Sequence, residues 1–213
     1  PLRGGKATLF EGGTRVPAIV VWPGVTTATT RSSVIIQSED YYPTLLEGLG
    51  LKRASDQLFD GTSILPVLTG GKLNREAVFQ YYPHYPNPGP ISVPEWLPPA
   101  VSAHRGDWKL IRRFHSGEKG AHSYMLFNLS GDIAETTNLA AQEPELVSEL
   151  DVLIEKFLSE TKAVVPLPNP AFDPAMYHPE LEGKLTYWDA RDCKVVVRDG
   201  IAYITNIGRP GTG

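Results

Sequence analysis

The chain has 213 residues, about one and a half domains at roughly 150 residues each. Twenty Lys plus Arg against 24 Asp plus Glu leave a formal charge of −4. That balance excludes a nucleic-acid platform, because neutralising phosphates needs an excess of basic residues. The longest apolar run, Ala18 to Trp22, is far short of the roughly 20 residues of a membrane-spanning helix. No membrane association is therefore expected.

Apolar residues make up 41%, enough for a core, while 20 Gly and 19 Pro mark a loop-rich globular chain. Cys193 is the single cysteine, so no internal disulfide can form. No secretory leader opens the sequence, which begins at Pro1 and ends on Gly-Thr-Gly. A piece of a longer protein is the expectation.

Residues 9–22 are expected to be a strand entering a buried sheet. Gly12-Gly13 turns the chain, and Val16 to Trp22 is apolar and β-branched, without the alternation of a half-exposed strand. Val34-Ile35-Ile36 is a second candidate. A short helix follows from about Asp40 to Gly48, with Ser38 as its cap and Leu45, Leu46 and Leu49 as its apolar face. Asp60-Gly61 turns into a helical piece at Ile64–Leu68, stopped by Gly70-Gly71. From Tyr81 to Pro99 proline recurs, which removes amide donors and predicts a loop outside any sheet. A loop of that length in a compact domain is more often functional than idle.

Val101–Arg105, Trp108–Phe114 and Tyr124–Asn128 read as an antiparallel meander with Gly106-Asp107 as its first turn. The clearest helix runs from about Pro144 to Thr161, where Leu146, Leu150, Leu153, Ile154 and Phe157 make one stripe at a 3.6-residue period. That stripe must be buried, and the meander is the obvious partner. After a Pro-rich stretch, Cys193–Arg198 and Ile201–Thr205 flank Asp199-Gly200, a strong hairpin signal. The fold class is α/β with an α+β C-terminal subdomain. It comprises edge strands and helices of a large mixed sheet, a small antiparallel sheet packed by one helix, and a partial β-module. The expected domains are residues 1–75, 76–163, a linker at 164–183, and 184–213.

The opening Leu2-Arg3-Gly4-Gly5-Lys6-Ala7-Thr8-Leu9-Phe10-Glu11-Gly12-Gly13-Thr14-Arg15-Val16-Pro17 resembles a stretch of the arylsulfatase-type sulfatases, in the alkaline phosphatase superfamily. Later pieces agree in order: Asp40-Tyr41-Tyr42-Pro43-Thr44, Asp60-Gly61-Thr62-Ser63, Tyr82-Pro83-His84-Tyr85, Gly106-Asp107-Trp108-Lys109-Leu110-Ile111, Leu126-Phe127-Asn128-Leu129 and Asn138-Leu139-Ala140. The resemblance spans about residues 1–160. It implies a sulfuric ester hydrolase acting on a sulfated small molecule or polysaccharide, and a periplasmic or secreted location. It also implies a formylglycine nucleophile and a calcium ion. Cys193 does not match the nucleophile motif, and the acidic metal ligands of the family have no counterpart here. The isolated chain is therefore expected to be inactive, and its uncovered strands at 9–36 to favour self-association.

Of the family's site, Lys6 remains: it matches the lysine whose ammonium sits on the sulfate, and is the expected catalytic and substrate-binding residue. Ala7 stands where the pattern has Gly, a departure that matters only if φ there is positive. His84 is the second candidate for substrate binding, since imidazole can donate to a sulfate or sugar oxygen. Glu11 and Arg15 are expected to make structural contacts around Gly12-Gly13. His115 and His122 are expected to be solvated, His104 and His178 structural, and Trp96 and Trp108 anchors. Two other classes remain open on sequence: a phosphodiesterase or phosphonate hydrolase of the same superfamily, and a carbohydrate-binding or interaction module without catalysis.

Overall fold

The computed structural model describes residues 2–84 and 99–168, and the backbone of strands Cys193–Arg198 and Ile201–Asn206. The prolines and aromatics of 85–98, Trp96, His178, most of the linker and the Asp199-Gly200 turn lie outside the described residues. The described residues fall into two units, 2–84 with 99–166 and a second that holds the last two strands.

In chain order the elements are α1 (Glu11–Thr14), α2 (Tyr41–Gly48), α3 (Leu65–Leu68), β1 (Val78–Tyr82), β2 (Ala100–Arg105), β3 (Trp108–Arg113), β4 (Ser123–Asn128), α4 (Pro144–Glu160), β5 (Cys193–Arg198) and β6 (Ile201–Asn206). β1 to β4 form one antiparallel sheet in sequence order, and β5 and β6 a separate hairpin. The meander and the long helix stand where the sequence places them.

Both faces of the sheet are covered. Val101, Ala103, Leu110, Phe114 and Leu126 pack on Leu150, Ile154 and Leu158 of α4. Ala100, Ile111 and Phe127, on the opposite face, pack on Leu9, Phe10 and Leu129. β3 is therefore buried along four consecutive residues rather than two alternate ones. Phe79 stacks on Phe157 at 4.6 Å, tying β1 to α4. Arg112 of β3 pairs with Asp151 at 3.0 Å and with Glu155, while the Tyr124 hydroxyl donates to Asp151 at 2.9 Å. Burial, then the Asp151 charge, push the Tyr124 phenol up to about 12.

Neither sheet edge is left bare. Asn138 accepts from the Leu126 amide at 2.9 Å and donates to the Tyr124 carbonyl at 3.2 Å. On the other edge the Gln37 amide group donates to the Phe79 carbonyl at 3.1 Å. Each such bond occupies a ladder group that could otherwise recruit a further strand.

Four expectations are corrected. Residues 16–22 and 34–36 form no strand, and Val16, Ile19 and Val21 are 80–90% exposed. A strand exists only by pairing, and no described segment pairs with either run. Gly12-Gly13 lies within the single turn of α1 instead of between strands. In α2 the buried residues are Pro43 and Thr44, whereas Leu45 and Leu49 face outward. This helix is fixed by polar contacts instead. Buried Asp40 accepts from Arg75 Nη1 at 2.8 Å, from the Thr62 amide at 2.9 Å and from the Gln37 amide at 2.7 Å. Finally, Tyr81 and Tyr82 belong to β1, paired with Val101 and Ala100. Proline begins only at position 83, so nothing in 78–82 lacks a donor.

The α4 contact gives a direct test. Leu150→Ala removes a fully buried side chain facing the sheet and should lower unfolding free energy by about 2–5 kcal/mol. Val152→Ala, on the exposed side of the same helix, should change it by less than about 0.5 kcal/mol. Urea unfolding of the two variants checks both values.

Candidate functional site

Lys6 is presented by a turn whose ends are cross-bonded. The Thr8 amide donates to the Gly5 carbonyl at 3.1 Å, and the Thr8 hydroxyl donates to the same oxygen at 2.8 Å. The Gly5 amide donates in return to Thr8 Oγ1 at 3.3 Å. Lys6 sits at the exposed tip, without an ion pair or side-chain hydrogen bond among the described residues. Ala7 has φ of +71°. Its methyl therefore occupies the left-handed region, at about 1 kcal/mol of strain, and the departure from Gly does matter.

The loop behind the tip closes on α1. The Gly12 amide donates to the Arg3 carbonyl at 2.8 Å. A Cβ on Gly13 would lie 2.5 Å from the Gly5 carbonyl oxygen, and closer still to that of Thr8. The two glycines of α1 are thus the floor on which residues 3–8 rest.

Beneath this floor lies a buried charge cluster absent from the sequence expectations. Lys109, the second residue of β3 and 1% exposed, places Nζ 2.9 Å from Glu11 Oε1 and 3.1 Å from Glu135 Oε1. Glu11 also accepts from Arg15 at 3.1 Å, which bears out its expected structural contact. Glu135 Oε2 accepts the Glu11 amide at 2.6 Å, and its carbonyl accepts the Arg3 guanidinium at 2.6 Å. That guanidinium also lies 4.1 Å over the Phe10 ring. Burial pushes the Glu135 carboxyl up, against the pull of Lys109. Burial acts on Glu11 too, but Lys109 and Arg15 outweigh it and hold that carboxyl below its ordinary value. The signal for Lys109 was a lysine within a strand, flanked by Trp108, Leu110 and Ile111.

His84 is exposed and sits edge-on to Tyr82 at 5.7 Å. Tyr82 packs on the cluster that contains Leu9 and Phe10. His84 thus reaches that cluster through Tyr82 at the end of β1, and no contact among the described residues joins it to Lys6. His104 is half-buried; burial pushes its imidazole pKa down, against the attraction of Glu11. His115 and His122 are half-buried, packed on each other yet still partly open to solvent. Their rings are 4.8 Å apart, and the His115 amide donates to His122 Nδ1 at 3.2 Å. Trp108 packs against the α4 cluster, as an anchor should.

Among the described residues no group of three or more His, Cys, Asp or Glu could hold a metal ion. The chain's acidic side chains at the site, Glu11 and Glu135, are turned to Lys109. They do not fit a calcium site.

A family model described as "N-sulphoglucosamine sulphohydrolase, C-terminal" matches residues 5–163. A sulfatase of Formosa agariphila is 35% identical over 147 residues, 68% of this chain and 26% of the relative. The human N-acetylgalactosamine-6-sulfatase is 41% identical over 81 residues, 38% of this chain and 16% of that enzyme. A solved structure from work on the metabolism of multiple glycosaminoglycans by Bacteroides thetaiotaomicron is 26% identical, with a TM-score of 0.56. It covers 74% of this chain and 32% of its own. The chain thus spans about a quarter of the Formosa relative's length.

Two predictions follow from the geometry. Gly13→Ala should disorder the Lys6 turn, whereas Gly5→Ala, whose Cβ meets nothing within 4 Å, should leave it in place. Amide exchange at Thr8, whose N–H closes the turn, reports the difference. The second prediction concerns pH. A raised carboxyl holds a proton in the folded chain that the unfolded chain has lost, so Glu135 makes stability fall as pH rises from 4.5 through its raised value. Glu11, lowered, makes stability fall as pH drops from 4.5 through its own value. In urea unfolding across pH, Glu135→Gln should abolish the first decline and keep the second.

Proposed function

The chain belongs to the N-sulphoglucosamine sulphohydrolase C-terminal family, and on that basis we propose that it is a C-terminal portion of a sulfatase. Lys6 is then the group that this chain contributes to the reaction. The observation that carries the proposal is its setting: an ammonium at the tip of a cross-bonded turn, unpaired among the described residues, within the family match.

A sulfate ester is already an anion, and negative charge grows on its oxygens and on the leaving oxygen as the S–O bond breaks. A cation fixed at that place lowers the barrier, because it is oriented before the charge appears. The ammonium can also pass a proton to the departing alkoxide. Calcium and a formylglycine nucleophile belong to this reading as family properties; they would supply sulfate binding and the attacking oxygen from residues outside this chain. His84 would hold a sulfate or sugar oxygen near the aromatic surface of Tyr82.

Sulfated carbohydrate is the proposed substrate class. Support comes from the family description, which names a sulphoglucosamine, and from the human relative, which is named for a sulfated amino sugar. The domain division proposed is the end of a large α/β domain at 1–75, a sheet-plus-helix subdomain at 76–163, a linker at 164–183 and a β-module from 184. The end of the family match at 163 supports the second boundary. Exposed Val16, Ile19 and Val21 would be covered by the larger domain, and would favour self-association without it.

The test is an assay of the complete protein. Lys6→Ala should lower kcat/KM by about 10²–10³, with kcat carrying the loss and the unfolding midpoint unchanged. Lys6→Arg should rescue poorly, since a planar fork replaces a point charge. Near-full kcat in Lys6→Ala would remove the lysine from the site. Sulfated sugars should be turned over better than nitrophenyl sulfate; the reverse order would reject the carbohydrate class and leave the sulfatase reading standing.

A further inference from the structure

Glu135 stands 124 residues from Glu11 in sequence and holds both ends of the Lys6 loop. Its carboxylate accepts the amide of Glu11, at the far end of the loop, at 2.6 Å. Its main-chain carbonyl accepts the guanidinium of Arg3, at the near end, at 2.6 Å. The loop is closed between those points by the 2.8 Å bond from Gly12 to Arg3.

Glu135 is itself constrained. It is fully buried and has φ of +53°, the left-handed region that a side chain of this size enters only when its surroundings demand it. Its amide donates to the Asp132 carbonyl at 3.0 Å. Asp132 in turn accepts from the amides of Thr136 and Thr137 at 3.0 and 2.9 Å, so the turn around Glu135 is rigid from both sides. Lys109 balances the charge, which a buried carboxylate requires.

We propose that Glu135 is a positioning residue for catalysis: by clamping Arg3 and Glu11 it fixes where the Lys6 ammonium stands. The proposal rests on the reading of Lys6 as the sulfate-binding cation. Displacing a reacting or charge-stabilising group by about 1 Å can lower a rate on the order of 10²-fold, so a clamp of this kind acts on kcat without touching substrate.

The experiment is a double-mutant cycle on kcat in the complete protein, with a sulfated monosaccharide as substrate. Glu135→Ala should lower kcat by about 10- to 100-fold. Glu135→Gln keeps an oxygen for the Glu11 amide and should restore most of that rate. Leu150→Ala, matched for loss of unfolding midpoint but far from the loop, should leave kcat within about twofold. Glu135→Ala added to Lys6→Ala should lower kcat no further, because a residue that acts through Lys6 has nothing left to position. Where Glu135→Ala does not fold, Arg3→Met takes its place and should show the same dependence on Lys6. Additive losses in either cycle, or a rate loss equal to that of Leu150→Ala, would overturn the proposal. If Lys6→Ala alone leaves kcat intact, the reading of Lys6 fails instead, and the cycle identifies which of the two is wrong.

Discussion

A lysine near the start of a strand, 1% exposed, sets the terms for the first unit of this protein. Lys109 cannot be stripped of water without partners, because an uncompensated buried charge costs several kcal/mol. The chain supplies two carboxylates, Glu11 from the turn that follows the Lys6 loop and Glu135 from the loop after β4. Those two segments must therefore converge on the same face of the sheet. Their convergence is what seals that face, with Leu9, Phe10 and Leu129 as the apolar surround.

The opposite face obeys a different rule. Leu150, Ile154 and Leu158 bury one stripe of α4 against Val101, Ala103, Leu110 and Leu126. Burial of that stripe is non-directional and scales with apolar area. Direction comes from Arg112 and Tyr124, which pin Asp151 and so fix the helix in register over the strands. One face is thus held by area with polar pins, and the other by a charge triad with an apolar rim. Lys6 stands above the second, where geometry is set by hydrogen bonds of defined direction.

How much of this was legible depends on whether a residue's neighbours in sequence are also its neighbours in space. The stripe of α4 and the strands on either side of Gly106 repeat at periods that belong to the element itself, so they could be read without a partner. Val16 to Trp22 has the composition of a buried strand, but a strand also needs another strand, and none of the described segments provides it. The leucines of α2 misled for the same reason. Their spacing is helical, yet the helix is anchored through Asp40 and Thr44 and leaves Leu45 and Leu49 outside.

The family resemblance, the candidate Lys6 with the glycines around it, and the meander with its helix were legible without a structure, because each is a local pattern of residue type and spacing. The sequence also singled out Ala7 as the departure to watch; only the positive φ turned that departure into strain. The tertiary structure alone decided that Lys109 is buried, that Glu11 and Glu135 share it, and that Glu135 reaches both Arg3 and Glu11. These contacts join residues as far as 132 positions apart. Nothing in the local sequence specifies them, since a lysine or a glutamate acquires a buried partner only after the sheet has brought distant segments onto one face.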